Sequence, residues 1–119
     1  MKVIRISEVD HVPIDTATPI PGWTGGEVRR TRQPLLPDGA SKNFSSSVVN
    51  FQKGATTGWH THKSDQILVV TAGVGIVANE HEQQEIAVGD VAHVLMGENH
   101  WHGAKAESYM SHITITAVD

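Results

Sequence analysis

No cysteine occurs anywhere in the 119 residues. Disulfide scaffolds, thiol nucleophiles and thiolate metal ligands are excluded together, and the cytoplasm becomes the expected location. Long apolar stretches are missing too. The longest uninterrupted run, Ile67-Leu68-Val69-Val70, is far too short to span a bilayer. No signal peptide is expected at the N-terminus, where Lys2 and Arg5 interrupt the apolar residues and Glu8 and Asp10 follow. Positive charge is in deficit: 9 Lys and Arg against 13 Asp and Glu leave a net charge of -4. Nucleic acid and anionic membranes are therefore not expected as partners. Arg29, Arg30 and Arg32 do cluster, but with Glu27 beside them and no second basic cluster they read as a solvated strand face or an interface.

Helical periodicity is absent as well, and 11 glycines and 5 prolines divide the chain into short pieces. What is present is a series of runs rich in Val, Ile and Thr, bounded by turn residues. Strands are expected at residues 3–6, 26–32, 45–51, 66–71, 74–78, 85–88, 91–95 and 109–117. Residues 13–21 read as a turn-rich linker and 34–39 as a loop. Gly73 and Gly75 read as flanking a hairpin corner, and residues 79–83 and Gly89-Asp90 as turns. The pattern predicts an all-β sandwich or barrel in one domain, with no internal repeat. Residues 1–37 form an N-terminal arm with edge strand character, and 38–119 the barrel. Strands left at the margins of so small a barrel invite pairing. A homodimer is expected, with residues 22–32 as its added or swapped strand.

Eight histidines stand out, seven of them between positions 60 and 112. His60 and His62 are two apart, so an extended backbone presents both imidazoles on one face, where they can share a metal ion. Gln66 opens the apolar strand that follows, and a buried amide there needs a polar partner. A metal ion is one such partner. A second His-x-His, His100 and His102, comes after the glycine turn at Gly97.

These residues resemble the motifs of the small single-domain cupins. The first motif, Gly-x5-His-x-His-x3-Glu-x6-Gly, is matched by Gly54, His60, His62, Gln66 and Gly73, with Gln in place of Glu. The second, Gly-x5-Pro-x-Gly-x2-His-x3-Asn, is matched by Gly89, Gly97 and His100, while Leu95 and Ala104 replace Pro and Asn. The match extends from about residue 23 to 116 and is similar to manganese-dependent cupins with hydroxynitrile lyase activity. Their pattern is seen in Trp59-His60-Thr61-His62, Gln66, His100-Trp101-His102-Gly103-Ala104 and Met110-Ser111-His112. His93 and Leu95-Met96 depart from it, which bears on pocket shape and substrate.

The resemblance implies a cupin β-barrel of jelly-roll type and one divalent transition metal, with manganese favoured and Fe, Ni, Co or Zn as alternatives. It implies metal ligands His60, His62, Gln66 and His100. All four are neutral, so the ion keeps its full charge and acts as a stronger Lewis acid than with a Glu ligand. His102 and His112 are the candidates for proton transfer; each also has a purely structural reading. The face of Ser47, Val49 and Phe51 lines the pocket by the same resemblance. By strand alternation His93 shares a face with Val91 and Leu95 and reads as packing, while His11 and His81 read as solvated. Trp59 and Trp101 read as packing near the barrel mouth.

The expected function is a metal-dependent enzyme acting on a small oxygenated molecule by Lewis-acid and histidine proton-transfer chemistry, of hydroxynitrile lyase type. The alternatives are a metal-dependent dioxygenase with oxidative C–C cleavage, or a non-catalytic module binding metal or a small ligand.

Overall fold

The computed structural model describes residues 1–14 and 29–118. Among them the chain is almost wholly antiparallel β-structure: β1 (Val12–Ile14), β2 (Arg30–Pro34), β3 (Phe44–Phe51), β4 (Gln66–Asn79), β5 (Gln83–Ala87), β6 (Val91–Val94), β7 (His100–Ala104) and β8 (Met110–Ala117). The strand expected at residues 3–6 does not form: residues 3–5 lie outside any strand and Ile6–Glu8 is a short 3₁₀ turn. The apolar residues there are exposed, so no sheet face rewards an extended conformation. No described helix is long and apolar enough to cross a membrane.

β4 organises the barrel. Its first half lies between β8 and β6, and its second half between β7 and β5. On the outer side of β8 the order runs on through β3, β2 and β1. Two strands with a hairpin corner were expected here. Instead β4 is one continuous strand that bends from one sheet into the other, through a register shift between Val70 and Ala72. Gly73 allows the bend. Its φ is 72°, and a Cβ there would lie 1.9 Å from the Tyr109 carbonyl oxygen. The turns at residues 79–83 and at Gly89-Asp90 fall where the residue types place them.

Inward-facing side chains make the core: Phe51, Ala55, Val70, Ile86, Ala104 and Met110 pack together, with Val49 and Val77 against them. The outer face of β2 holds the N-terminal arm, because the buried Gln33 amide donates to the Ile6 and Val9 carbonyls at 2.9 and 3.0 Å. Of the basic cluster, Arg29 and Arg32 are exposed, but Arg30 is half-buried opposite Phe51 rather than on a solvated face. The early part of the expected strand 26–32 lies outside the described residues. So does most of the expected linker 13–21, whose first residues belong to β1 instead, and most of the proposed swapped segment 22–32.

Candidate metal centre

His60 and His62 lie on the segment leading to β4, and His100 begins β7. An isolated antiparallel bridge joins His60 to His100, each N–H donating to the other's carbonyl at 2.9 and 3.0 Å. The pairing sets the two imidazoles side by side, ring centroids 4.2 Å apart. His62 completes the group, with its ring 4.8 Å from that of His60 and 5.3 Å from that of His100. One ring nitrogen from each of the three lies within 4.8 Å of the others.

The hydrogen bonds state which nitrogen is offered. His60 Nδ1 is 2.8 Å from the Gly58 carbonyl and His100 Nδ1 is 2.9 Å from the Glu98 carbonyl. A carbonyl only accepts, so Nδ1 carries the proton in both rings and Nε2 keeps its lone pair for a metal. Nε2 of His100 and of His62 are buried without a hydrogen-bond partner in the protein. Gln66 is 4% exposed, and its Oε1 is likewise buried and unpartnered. Orphaned acceptors of this kind are costly, and a cation shared by the three imidazoles would satisfy theirs. Burial pushes His60 down to about 4, partly opposed by the Gly58 carbonyl and reinforced by His100 and His62. His62 is lowered by burial and then by His100. The neutral imidazole, the form that ligates, is therefore favoured at neutral pH. Three converging imidazole nitrogens fit a divalent first-row ion.

Beside this cluster lies a second, drier pair. His102 and His112 are 4% and 0% exposed, and His112 Nε2 is 2.9 Å from His102 Nδ1. The Thr114 hydroxyl is 3.1 Å from His112 Nδ1. Burial holds His102 well below its ordinary range, with His112 adding to the effect, and burial pushes His112 down to about 4. The His102 ring lies 5.4 Å from His60 and 5.7 Å from His100, which places it next to the metal cluster. Phe51 packs on both, 5.7 Å from His102 and 5.5 Å from His112. Val49 is paired with His112 and Ser47 with Thr114 in the β3–β8 register. His100 also borders a cavity of about 210 Å³ shared with Asn79, Gln84, Ile86 and Val94.

Three residues had no legible role in the sequence. The Thr57 hydroxyl donates to the Gly58 carbonyl at 2.9 Å and accepts from the His102 backbone N–H at 3.2 Å, so it links the partner of His60 to the strand of His102. The charge of Arg30 lies close enough to lower both His60 and His102. Glu98 is tied to Asn79 and to the Leu95 N–H. Only register and turn geometry reveal such contacts. His93, expected to pack, is exposed and its Nε2–H donates to the Asp65 carboxylate at 2.8 Å, because its face of β6 is the outer one. His11 and His81 are exposed as expected, and Trp101 is 5% exposed.

The comparisons with known proteins agree with this architecture. A family model described as a cupin domain matches residues 47–116. The chain is 42% identical over 94 residues to an (R)-mandelonitrile lyase of Granulicella tundricola, covering 78% of this chain and 70% of that protein. A cupin-like protein from Thermotoga maritima superposes with a TM-score of 0.71 at 32% identity, over 74% of this chain and 68% of its own. A cupin 2 conserved barrel domain protein from Rhodopseudomonas palustris gives 0.77 at 14% identity, over 94% and 73%. With the barrel, the histidine cluster and the matched segment all in agreement, this chain belongs to the cupin family.

Proposed function

We propose that this cupin is a metal-dependent lyase that cleaves a small cyanohydrin. His60, His62, Gln66 and His100 hold one divalent ion, manganese by preference, and His102 moves the proton. One observation carries the reading: three imidazoles converge within 4.8 Å, two of them with a buried and unbonded Nε2, beside a second buried imidazole pair. The identity to a mandelonitrile lyase supports the reaction class. When bound, the ion supplies Lewis acidity to a substrate oxygen, undiminished by ligand charge because all four donors are neutral.

The protein's own groups then do the rest. His102 is neutral at working pH, because burial disfavours its imidazolium. Its Nδ1 is taken by His112, so the nitrogen left for substrate is Nε2. For Nε2 to accept, Nδ1–H must donate to His112 Nε2, and His112 then carries its own proton on Nδ1, facing the Thr114 hydroxyl oxygen. In that tautomer the chain Thr114–His112–His102 leaves His102 Nε2 as a base. The cyanohydrin O–H proton passes to His102 Nε2, the carbon–carbon bond to the nitrile breaks with its electron pair on cyanide, and the carbonyl forms. The proton then returns to cyanide as hydrogen cyanide. Phe51, with Val49 and Ser47 on the same face of β3, forms the wall against which the substrate is held.

Elemental analysis of the purified protein is expected to find about one first-row ion per chain, lost in His60→Ala and in His100→Ala. Cyanide release from (R)-mandelonitrile at mildly acidic pH is expected to disappear with the ion. In His102→Ala the ion should remain while release falls by about two to four orders of magnitude. Release that survives His60→Ala would remove the metal from the reaction.

A further inference from the structure

The turn of residues 95–98, between β6 and β7, has each of its N–H groups engaged. Leu95 N–H donates to Glu98 Oε1 at 3.1 Å, and Met96 N–H to Asp65 Oδ1 at 2.9 Å. Gly97 N–H donates to the His62 carbonyl at 3.0 Å, and Glu98 N–H to the Leu95 carbonyl at 3.1 Å. The turn is therefore tied to the backbone of His62 and to the residue beside Gln66. Its last carbonyl, that of Glu98, accepts from His100 Nδ1 at 2.9 Å. Where this carbonyl sits decides where His100 Nε2 points.

In the cupin motif, position 95 is a proline, which fixes φ and has no N–H to satisfy. Leu95 gives up that restraint and exposes a donor. The Glu98 carboxylate takes the donor with one oxygen, and with the other accepts from Asn79 Nδ2 at 2.7 Å. Asn79 is itself fixed twice. It stands opposite His100 in the β4–β7 register, and its Oδ1 accepts the His81 and Glu82 N–H groups at 2.8 and 2.9 Å.

We infer that Glu98 is a positioning residue for the metal centre: its carboxylate, held between the Leu95 N–H and the Asn79 amide, fixes the carbonyl that aims His100. The inference rests on the metal-centre reading above. Without the carboxylate the turn keeps its ties to Asp65 and His62 and the Glu98 N–H bond to the Leu95 carbonyl, but loses its side-chain tie to Asn79, opposite His100. That imidazole is then free to swing from the common point of the ligand set. Groups that orient a ligand in this way typically account for about 10- to 100-fold in metal affinity.

The test is Mn(II) binding to the metal-free protein, followed by loss of the free-ion electron paramagnetic resonance signal, alongside the thermal unfolding midpoint of the same metal-free samples. Glu98→Ala is expected to weaken Mn(II) binding by about tenfold or more, with the metal-free midpoint nearly unmoved. Glu98→Gln, which keeps one acceptor, should recover part of the loss. Asn79→Asp keeps the oxygen that caps the 79–83 turn but replaces the donor with a carboxylate facing Glu98, so it should weaken binding as Glu98→Ala does. It also carries the test if Glu98→Ala fails to fold. Glu98→Ala or Asn79→Asp binding Mn(II) within about threefold of the parent overturns the inference and leaves the metal centre standing. A parent protein that takes up no Mn(II) overturns both.

Discussion

Gln66 is the residue on which the character of the proposed site turns. A carboxylate at this position would neutralise half of the ion's charge, whereas the amide leaves it intact. Its burial with Oε1 unpartnered is what a ligand requires and what a structural glutamine would avoid. Gln66→Glu is expected to raise Mn(II) affinity by about tenfold, since ligand charge count tunes metal affinity. It should also lower the rate of cyanide release, because the ion becomes a weaker Lewis acid. Tighter binding with unchanged turnover would show that Lewis acidity does not limit the reaction. The two His-x-His pairs were legible in the sequence because ligand chemistry restricts residue type and spacing. Thr57, Glu98 and Arg30 were not, because an exposed or half-buried polar residue has no signature until the chain around it is folded.

At the scale of the element, β4 shows how sequence pattern and tertiary structure divide the work. Glycines at 73 and 75 read as a hairpin corner, since both residue type and spacing allow one. The barrel uses them instead to carry one strand between two sheets, so that Gln66 opens the strand and Asn79, opposite His100, closes it. Gly73→Ala combines a positive φ with a Cβ driven 1.9 Å from the Tyr109 oxygen. The expected loss is about 3 kcal/mol of unfolding free energy, measured by urea titration. A loss below about 0.5 kcal/mol would mean that the strand straightens at this point without consequence. Strand β7 was not among the strands expected from the sequence, where only the His-x-His alternation pointed to an extended segment; all of its residues, His100–Ala104, are buried.

For the whole molecule, the cost of this site is a set of neutral histidines packed inside a small barrel. His112 falls from an ordinary value of 6.5 to about 4, and His60 also to about 4, while His62 and His102 are lowered. In the unfolded chain these imidazoles take protons below pH 6.5, whereas in the fold His60 and His112 do not until about pH 4. Between those values the unfolded state binds more protons, so stability rises with pH across the window and is flat above it. The depressed pKa of His112 alone corresponds to about 3 kcal/mol over the full window. Urea unfolding of the metal-free protein should therefore show a steep fall in stability on acidification from about pH 7 to about pH 4. A flat profile would mean that these histidines are not held neutral by burial.

The amino-acid sequence by itself determined the all-β class, the turns at 79–83 and 89–90 and the residue types of the histidine cluster. All of these depend on local periodicity, turn chemistry or ligand identity within a few positions. Only the tertiary structure decided that residues 60, 62 and 100 meet within 4.8 Å, that His102 and His112 share a hydrogen bond, and that His93 faces outward to Asp65. The physical reason is strand register. Which side chain lies opposite which is set by pairing between segments tens of residues apart, and pairing depends on packing of the whole barrel rather than on any stretch of chain alone.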